Sequence, residues 1–220
     1  MKNIFKTQLY LCKQRKGLIG VIWLVAVMAF VLLLFSKDNA ADVFGNSVLP
    51  MFIISALPAF MIAYNYTEKI QIYEITSGYK PHEIIFGKTL AYLPFTISFL
   101  VAIFIASLIR FGTASLTFIP WFCILTIRMT LCIIFLSTIT KGGAWIPLLS
   151  GMVATFFKDT QALQNSPVSF LAAGQCALLN QLIDNAFILK VVISSIVACV
   201  IYYVVGHMVV KKKFDLEPRK

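Results

Sequence analysis

The stretch LIGVIWLVAVMAFVLLLF, residues 18–35, holds eighteen residues without a charge, an amide or a proline. A hydrocarbon layer of about 30 Å, climbed at about 1.5 Å per residue, needs about 20 predominantly apolar residues in one helix. This run meets that need, and it makes a poor cleaved leader. The basic region before it is sixteen residues long, and the apolar run exceeds the usual 7–15. The chain therefore reads as an integral membrane protein. Lipid offers no partner to an open backbone, so each crossing segment is expected to be helical.

Working outward, four more runs are predominantly apolar over 17 to 24 residues: 48–64, 89–109, 117–139 and 187–210. Pro50 and Pro120 stand in the first turns of two of them, where a missing N–H costs nothing. Composition agrees. Hydrophobic residues make up 60% of the chain and charged ones 13%, against roughly 45–50% and 25% in ordinary soluble domains. The five cysteines, Cys12, Cys123, Cys132, Cys176 and Cys199, show neither close pairing nor a metal-ligand pattern, and read as small buried hydrophobes.

Two weaker segments lie between residues 140 and 186. Residues 144–157 are apolar but short, with Pro147 and Gly151; residues 168–183 carry Gln175, Asn180 and Gln181. Charge decides between them. Lys2, Lys6, Lys13, Arg15 and Lys16 gather before the first run, and Lys211, Lys212, Lys213, Arg219 and Lys220 after the last. Both clusters suit an anionic cytoplasmic leaflet, so the number of crossings should be even. With no amide or charge, 144–157 is taken as the fifth span, and 158–186 as an outer loop with short re-entrant helices. Lys69, Lys80, Lys88 and Lys141 then also face the cytoplasm, while Lys37, Arg110, Lys158 and Lys190 lie at the outer side. The formal charge of +10 is thus read as a leaflet preference rather than as nucleic-acid binding. The expected fold is all-α, with six transmembrane helices and both termini in the cytoplasm at the plasma membrane. Residues 1–17 form an amphipathic interfacial helix with Phe5, Leu9 and Cys12 on its apolar face, and 211–220 form a tail.

Catalytic motifs are missing. His82 and His207 are the only histidines, and neither has a nearby second metal ligand. All nine acidic residues fall outside the six spans, so no intramembrane carboxylate pair is available for proton transfer. Gly87-Lys88-Thr89 resembles the end of a phosphate-binding loop, but His82 stands where the earlier glycine is required. The chain is expected to be no enzyme, to bind no metal or cofactor, and to hydrolyse no ATP.

The cytoplasmic segment 65–88 is the longest polar stretch between strong spans, and from residue 67 it reads TEKIQIYEITSGYKPHEIIFGK. Ile70, Tyr73 and Ser77 share a helical face. Gly78 suits a left-handed helix end, and Pro81 suits the first turn of a second helix that continues into the third span. Glu74-Ile-Thr-Ser-Gly78, the Pro81 turn and Ile84-Ile-Phe-Gly-Lys88 resemble the permease subunits of type-2 ATP-binding-cassette (ABC) exporters. The likeness covers about fifteen residues in motif and the whole chain in layout; Tyr73 and Ile75 stand where the family usually places another charge beside the glutamate. The resemblance implies that this segment is a coupling helix seated on a separate ATPase subunit, with Glu68, Tyr73, Glu74, Gly78, Lys80 and Lys88 as its contact set. It further implies that two permease subunits pair, and that ATP and Mg belong to the partner. The implied cargo is an amphipathic peptide, antibiotic or lipid-like molecule, with self-protection against an antimicrobial peptide as one use. A rival reading is the substrate-binding membrane subunit of a vitamin-type uptake system, which would not need a docking hairpin. Arg128, central in the fourth span, has two readings. Either Thr130, Ser98 or backbone carbonyls satisfy it within the bundle, or it faces an aqueous translocation path and attracts an anionic substrate group.

Overall fold

The computed structural model describes residues 2–36, 38–67, 77–139, 164–180 and 183–216, and among these every regular element is helical. In chain order they are α1 (Lys2–Gln14), α2 (Lys16–Leu34), α3 (Ala40–Asn46), α4 (Val48–Thr67), α5 (Pro81–Phe111), α6 (Ile119–Ile139), α7 (Ala172–Ala177) and α8 (Asn185–Leu216). Single 3-10 turns cover Gly112–Thr117, Pro167–Phe170 and Leu178–Asn180. Five helical stretches are long and apolar enough to cross a membrane: α2, α3 with α4, α5, α6 and α8. Each holds all but at most two residues of one of the five strong runs. The expected fifth span, 144–157, lies outside the described residues.

The two ends of the bundle are built differently. At one end an aromatic cluster joins α2, α3 and α6: the Phe44 ring lies 6.0 Å from Phe30, 5.9 Å from Phe118 and 5.6 Å from Phe122. The stretch 36–47, polar in sequence, is therefore not a simple loop. The Asn39 side chain accepts the Asp42 N–H at 2.9 Å and starts α3, whose Val43 and Phe44 are buried. At this same end Arg110 Nε donates to the Leu34 carbonyl at 3.2 Å, satisfying an orphan acceptor at the end of α2. The short helix α7 also belongs here, since the Cys176 thiol reaches the Phe44 carbonyl at 3.6 Å.

At the other end the start of α5 meets the end of α6 and the later part of α8. A Cβ on Gly206 would come within 2.9 Å of the Phe135 ring and 3.1 Å of Ile85, so glycine permits this close approach. Phe135 and Tyr202 have ring centroids 5.1 Å apart. Between the two ends, Thr130 Oγ1 lies 3.2 Å from both Ser55 and Thr96, tying α6 to α4 and α5 by hydroxyls. Such pairs are the usual polar glue between membrane helices.

The first helix corrects its expected face. Ile4, Gln8, Leu11 and Cys12 are buried, whereas Leu9 is exposed and Phe5 only half-buried. The reason is a docking site on α5. Ile4 sits over Gly87, where a Cβ would approach its Cγ2 to 2.7 Å, and the Tyr92 hydroxyl donates to Gln8 Oε1 at 2.6 Å. A buried amide, absent from a purely apolar reading, thus rotates the helix onto the bundle.

Candidate functional site

Two places bring together the residues that the sequence singles out. The first is the entry to α5. Gly78 has φ +76°, the left-handed geometry expected of it, and an added Cβ would meet nothing within 4 Å. Glycine is required there by backbone conformation rather than by crowding. Both Gly78 and Lys80 are exposed. The Lys80 backbone is extended, and its N–H donates to Glu83 Oε2 at 3.0 Å. That bond closes the first turn of a helix of 31 residues, from Pro81 to Phe111, whose ladder lacks one hydrogen bond at Pro94. Lys88 lies on this helix and is fully buried, so its ammonium faces the interior of the bundle and not a docking surface. Glu68, Tyr73 and Glu74 lie outside the described residues.

The second place is Arg128, on α6 and only 6% exposed. Neither Thr130 nor Ser98 satisfies it. Thr130 is engaged by Ser55 and Thr96, and Ser98 accepts the Trp23 indole N–H at 3.1 Å. The guanidinium is held instead by the segment before the last span and by α8. Nη1 donates to Gln175 Oε1 at 2.8 Å, to Ser194 Oγ at 2.7 Å and to Ser195 Oγ at 3.3 Å. Nη2 donates to the Phe170 carbonyl, which is the backbone acceptor that the sequence allowed for. Gln175 is itself fully buried, and its Nε2 donates to Ser194 at 3.0 Å. Lys190 is drawn into the same segment, donating to Ser169 at 2.7 Å and lying 4.5 Å from the centre of the Phe170 ring.

All these partners of Arg128 are neutral. The guanidinium therefore acts as a fork that spans three pieces of chain, with its charge spread over amide, hydroxyl and carbonyl dipoles. Sequence reasoning missed Gln175, Ser194 and Ser195. Gln175 carried a readable signal: an amide among small apolar neighbours needs a partner when buried. Ser194 and Ser195 carried almost none, since hydroxyls are common in membrane helices. Among the described residues no group of three His, Cys, Asp or Glu side chains could hold a metal ion.

Comparison of the chain with protein-family models, with curated proteins and with solved structures returns no match.

Proposed function

We propose that this chain is the permease subunit of an ATP-driven exporter of the ABC type, working as a pair and powered by a separate ATPase. The observation that carries the reading is the join at Gly78–Pro81. Gly78 takes left-handed backbone, and three residues on a single helix of 31 residues begins, about 46 Å at 1.5 Å per residue. Such a rod exceeds the hydrocarbon thickness by several turns. A push at its exposed start passes along its first thirteen residues to the turn at Pro94, which adjoins the Thr96–Thr130–Ser55 contact with α4 and α6. The docked α1, clamped on Gly87 and Tyr92, keeps that start in line with the bundle.

On this reading six helices cross the plasma membrane, with both termini cytoplasmic. Support comes from the elements flanking residues 140–163: α6 ends where α1 and the start of α5 lie, while the turn Pro167–Phe170 and α7 stand towards the opposite end. The cargo is an amphipathic peptide, drug or lipid-like molecule. Arg128 serves as an internal latch; its four neutral acceptors leave it engaged within the bundle rather than open to an anionic cargo.

The test is co-purification in mild detergent, followed by ATPase turnover. Gly78→Val forces a β-branched residue into left-handed backbone, and Tyr73→Ala removes an aromatic anchor of the kind that interface hot spots favour. Both variants should insert normally yet lose the ATPase or uncouple its turnover from transport. Normal binding and coupling with both changed would refute the assignment and favour the uptake-subunit rival.

A further inference from the structure

The junction of α1 and α2 leaves a groove against α5 that the exporter reading does not use. Its volume is about 490 Å³, and it is lined by Leu9, Cys12, Lys13, Lys16, Ile19, Gly20, Trp23, Phe95 and Ser98. Two exposed lysines mark the junction of the helices, with apolar Leu9 and Cys12 before them on α1 and apolar side chains after them on α2. Lys13 and Lys16 stand at the α1–α2 junction; from there Ile19, Gly20 and Trp23 run towards the middle of α2, with Phe95 of α5 lining the same groove. From Lys16 to Trp23 is seven residues, about 10 Å of helix. The break at Arg15 (φ −105°, ψ 24°) makes this arrangement. It sends the Arg15 guanidinium over the Tyr64 ring, 4.0 Å from its centre, and leaves Lys13 and Lys16 exposed on the groove. Among the described residues neither lysine has a carboxylate partner.

The deeper part offers no spare polar group. The Trp23 N–H is spent on Ser98, and the Ser98 hydroxyl on the Phe95 carbonyl at 2.8 Å. Gly20 is exposed, and a Cβ there would meet nothing within 4 Å. The occupant that fits has an anion at one end and hydrocarbon below it, and approaches from the side of the helix bundle. We infer that this groove binds an anionic phospholipid, with its phosphate on Lys13 and Lys16 and its acyl chain along Gly20, Trp23 and Phe95. Basic pockets between membrane helices recognise headgroups in this way. The inference rests on the membrane reading alone and stands whether or not the chain is an exporter.

Trp23 is the reporter. The full chain carrying Trp121→Phe and Trp145→Phe is reconstituted in phosphatidylcholine vesicles. A small fixed fraction of either brominated phosphatidylglycerol or brominated phosphatidylcholine is then added, and quenching of Trp23 is read. Two lysines at an anionic surface correspond to roughly thirtyfold selectivity, so the anionic lipid should quench far more strongly at equal fraction. Lys13→Gln with Lys16→Gln should bring the two lipids level. Gly20→Leu, which fills the groove without changing charge, should weaken quenching by both while the chain elutes as before on gel filtration. Millimolar inorganic phosphate should leave the anionic preference intact. Equal quenching by the two lipids overturns the proposal. So does a preference that survives loss of both lysines, displacement by inorganic phosphate, which marks a free-anion site, or shielding from both lipids, which marks a protein neighbour.

Discussion

Replacing Arg128 by methionine should disturb the stability of the fold less than removing its acceptors. The guanidinium places three acceptors on the two hydrogens of Nη1 and one on Nη2. With Arg128 gone, the single O–H of Ser194 can turn from the Val191 carbonyl, at 3.1 Å, to Gln175 Oε1, 3.4 Å away. The neutral part of the network thus closes on itself, and the Phe170 carbonyl is the one strong acceptor left orphaned. That orphan costs about 1–3 kcal/mol, while removing an arginine from a helix centre relieves about 2.5–3.5 kcal/mol. The two nearly cancel, so Arg128→Met should fall within about 1–2 kcal/mol of the parent. Gln175→Leu with Ser194→Ala has the opposite effect. It leaves the charge buried with only Ser195 and the Phe170 carbonyl, and removes two bonds worth about 1.5–3 kcal/mol each to a charged group. Measured membrane hydrogen bonds run lower, near 0.6 kcal/mol on average, so about 2–4 kcal/mol is expected for the pair. Adding Arg128→Met to those two changes should then restore most of the loss, because a buried charge without partners is worse than none. The assay is reversible unfolding in mixed detergent micelles for the four proteins. If Arg128→Met proves the most damaging and the triple variant recovers nothing, the latch is not held by these acceptors.

Three other outcomes follow from contacts described above. Gly87→Ala should drive α1 off α5, since its Cβ would meet Ile4 Cγ2 at 2.7 Å. Overpacking of this kind costs about 1–3 kcal/mol, and faster maleimide labelling of buried Cys12 would report it, with partial reversal by Ile4→Ala. Burial pushes the Cys12 thiol from 9.0 up to about 11. Its labelling in the parent should accordingly remain slow at neutral pH and climb about tenfold per pH unit towards that value. The same shift means that its contribution to stability is full below about pH 9 and is lost as pH rises towards 11. In sealed cells, cysteines introduced at Asn39 and Asn165 should react with an impermeant reagent from outside, and one at Ser77 only from inside. Labelling of Asn165 from the inside alone would undo the six-span topology.

Most of the fold was legible because lipid makes the sequence signal simple. Long, predominantly apolar runs marked the five helices that could cross, and Pro50, Pro120 and Pro81 marked where three of them begin. Gly78 was legible for a different reason: only its backbone conformation matters, and that depends on its own chemistry. What stayed hidden depends on distant partners. The face of α1 is set by Tyr92 and Gly87, far along the chain, which turn Gln8 inward and leave Leu9 exposed. The short α3 was concealed in a polar stretch because a single residue, Phe44, anchors it through rings on α2 and α6. The acceptors of Arg128 were hidden for the same reason; its nearest polar neighbours in sequence and in the adjoining helices were already committed to one another.

The Arg128 fork also has a history within each molecule's synthesis. Gln175 follows Arg128 by 47 residues and Ser194 by 66. At about 5–20 residues per second, the arginine waits roughly 2–9 s for Gln175 and roughly 3–13 s for Ser194. Throughout that interval its helix carries an unmatched charge, which favours staying beside the insertion machinery or near a water-filled path over settling into lipid. The fourth crossing helix is therefore delivered early but seated late, and its place is fixed only when the last helix arrives. A nascent chain arrested before Ser194 would hold that charge exposed, giving quality control a physical mark by which to tell a half-made bundle from a finished one.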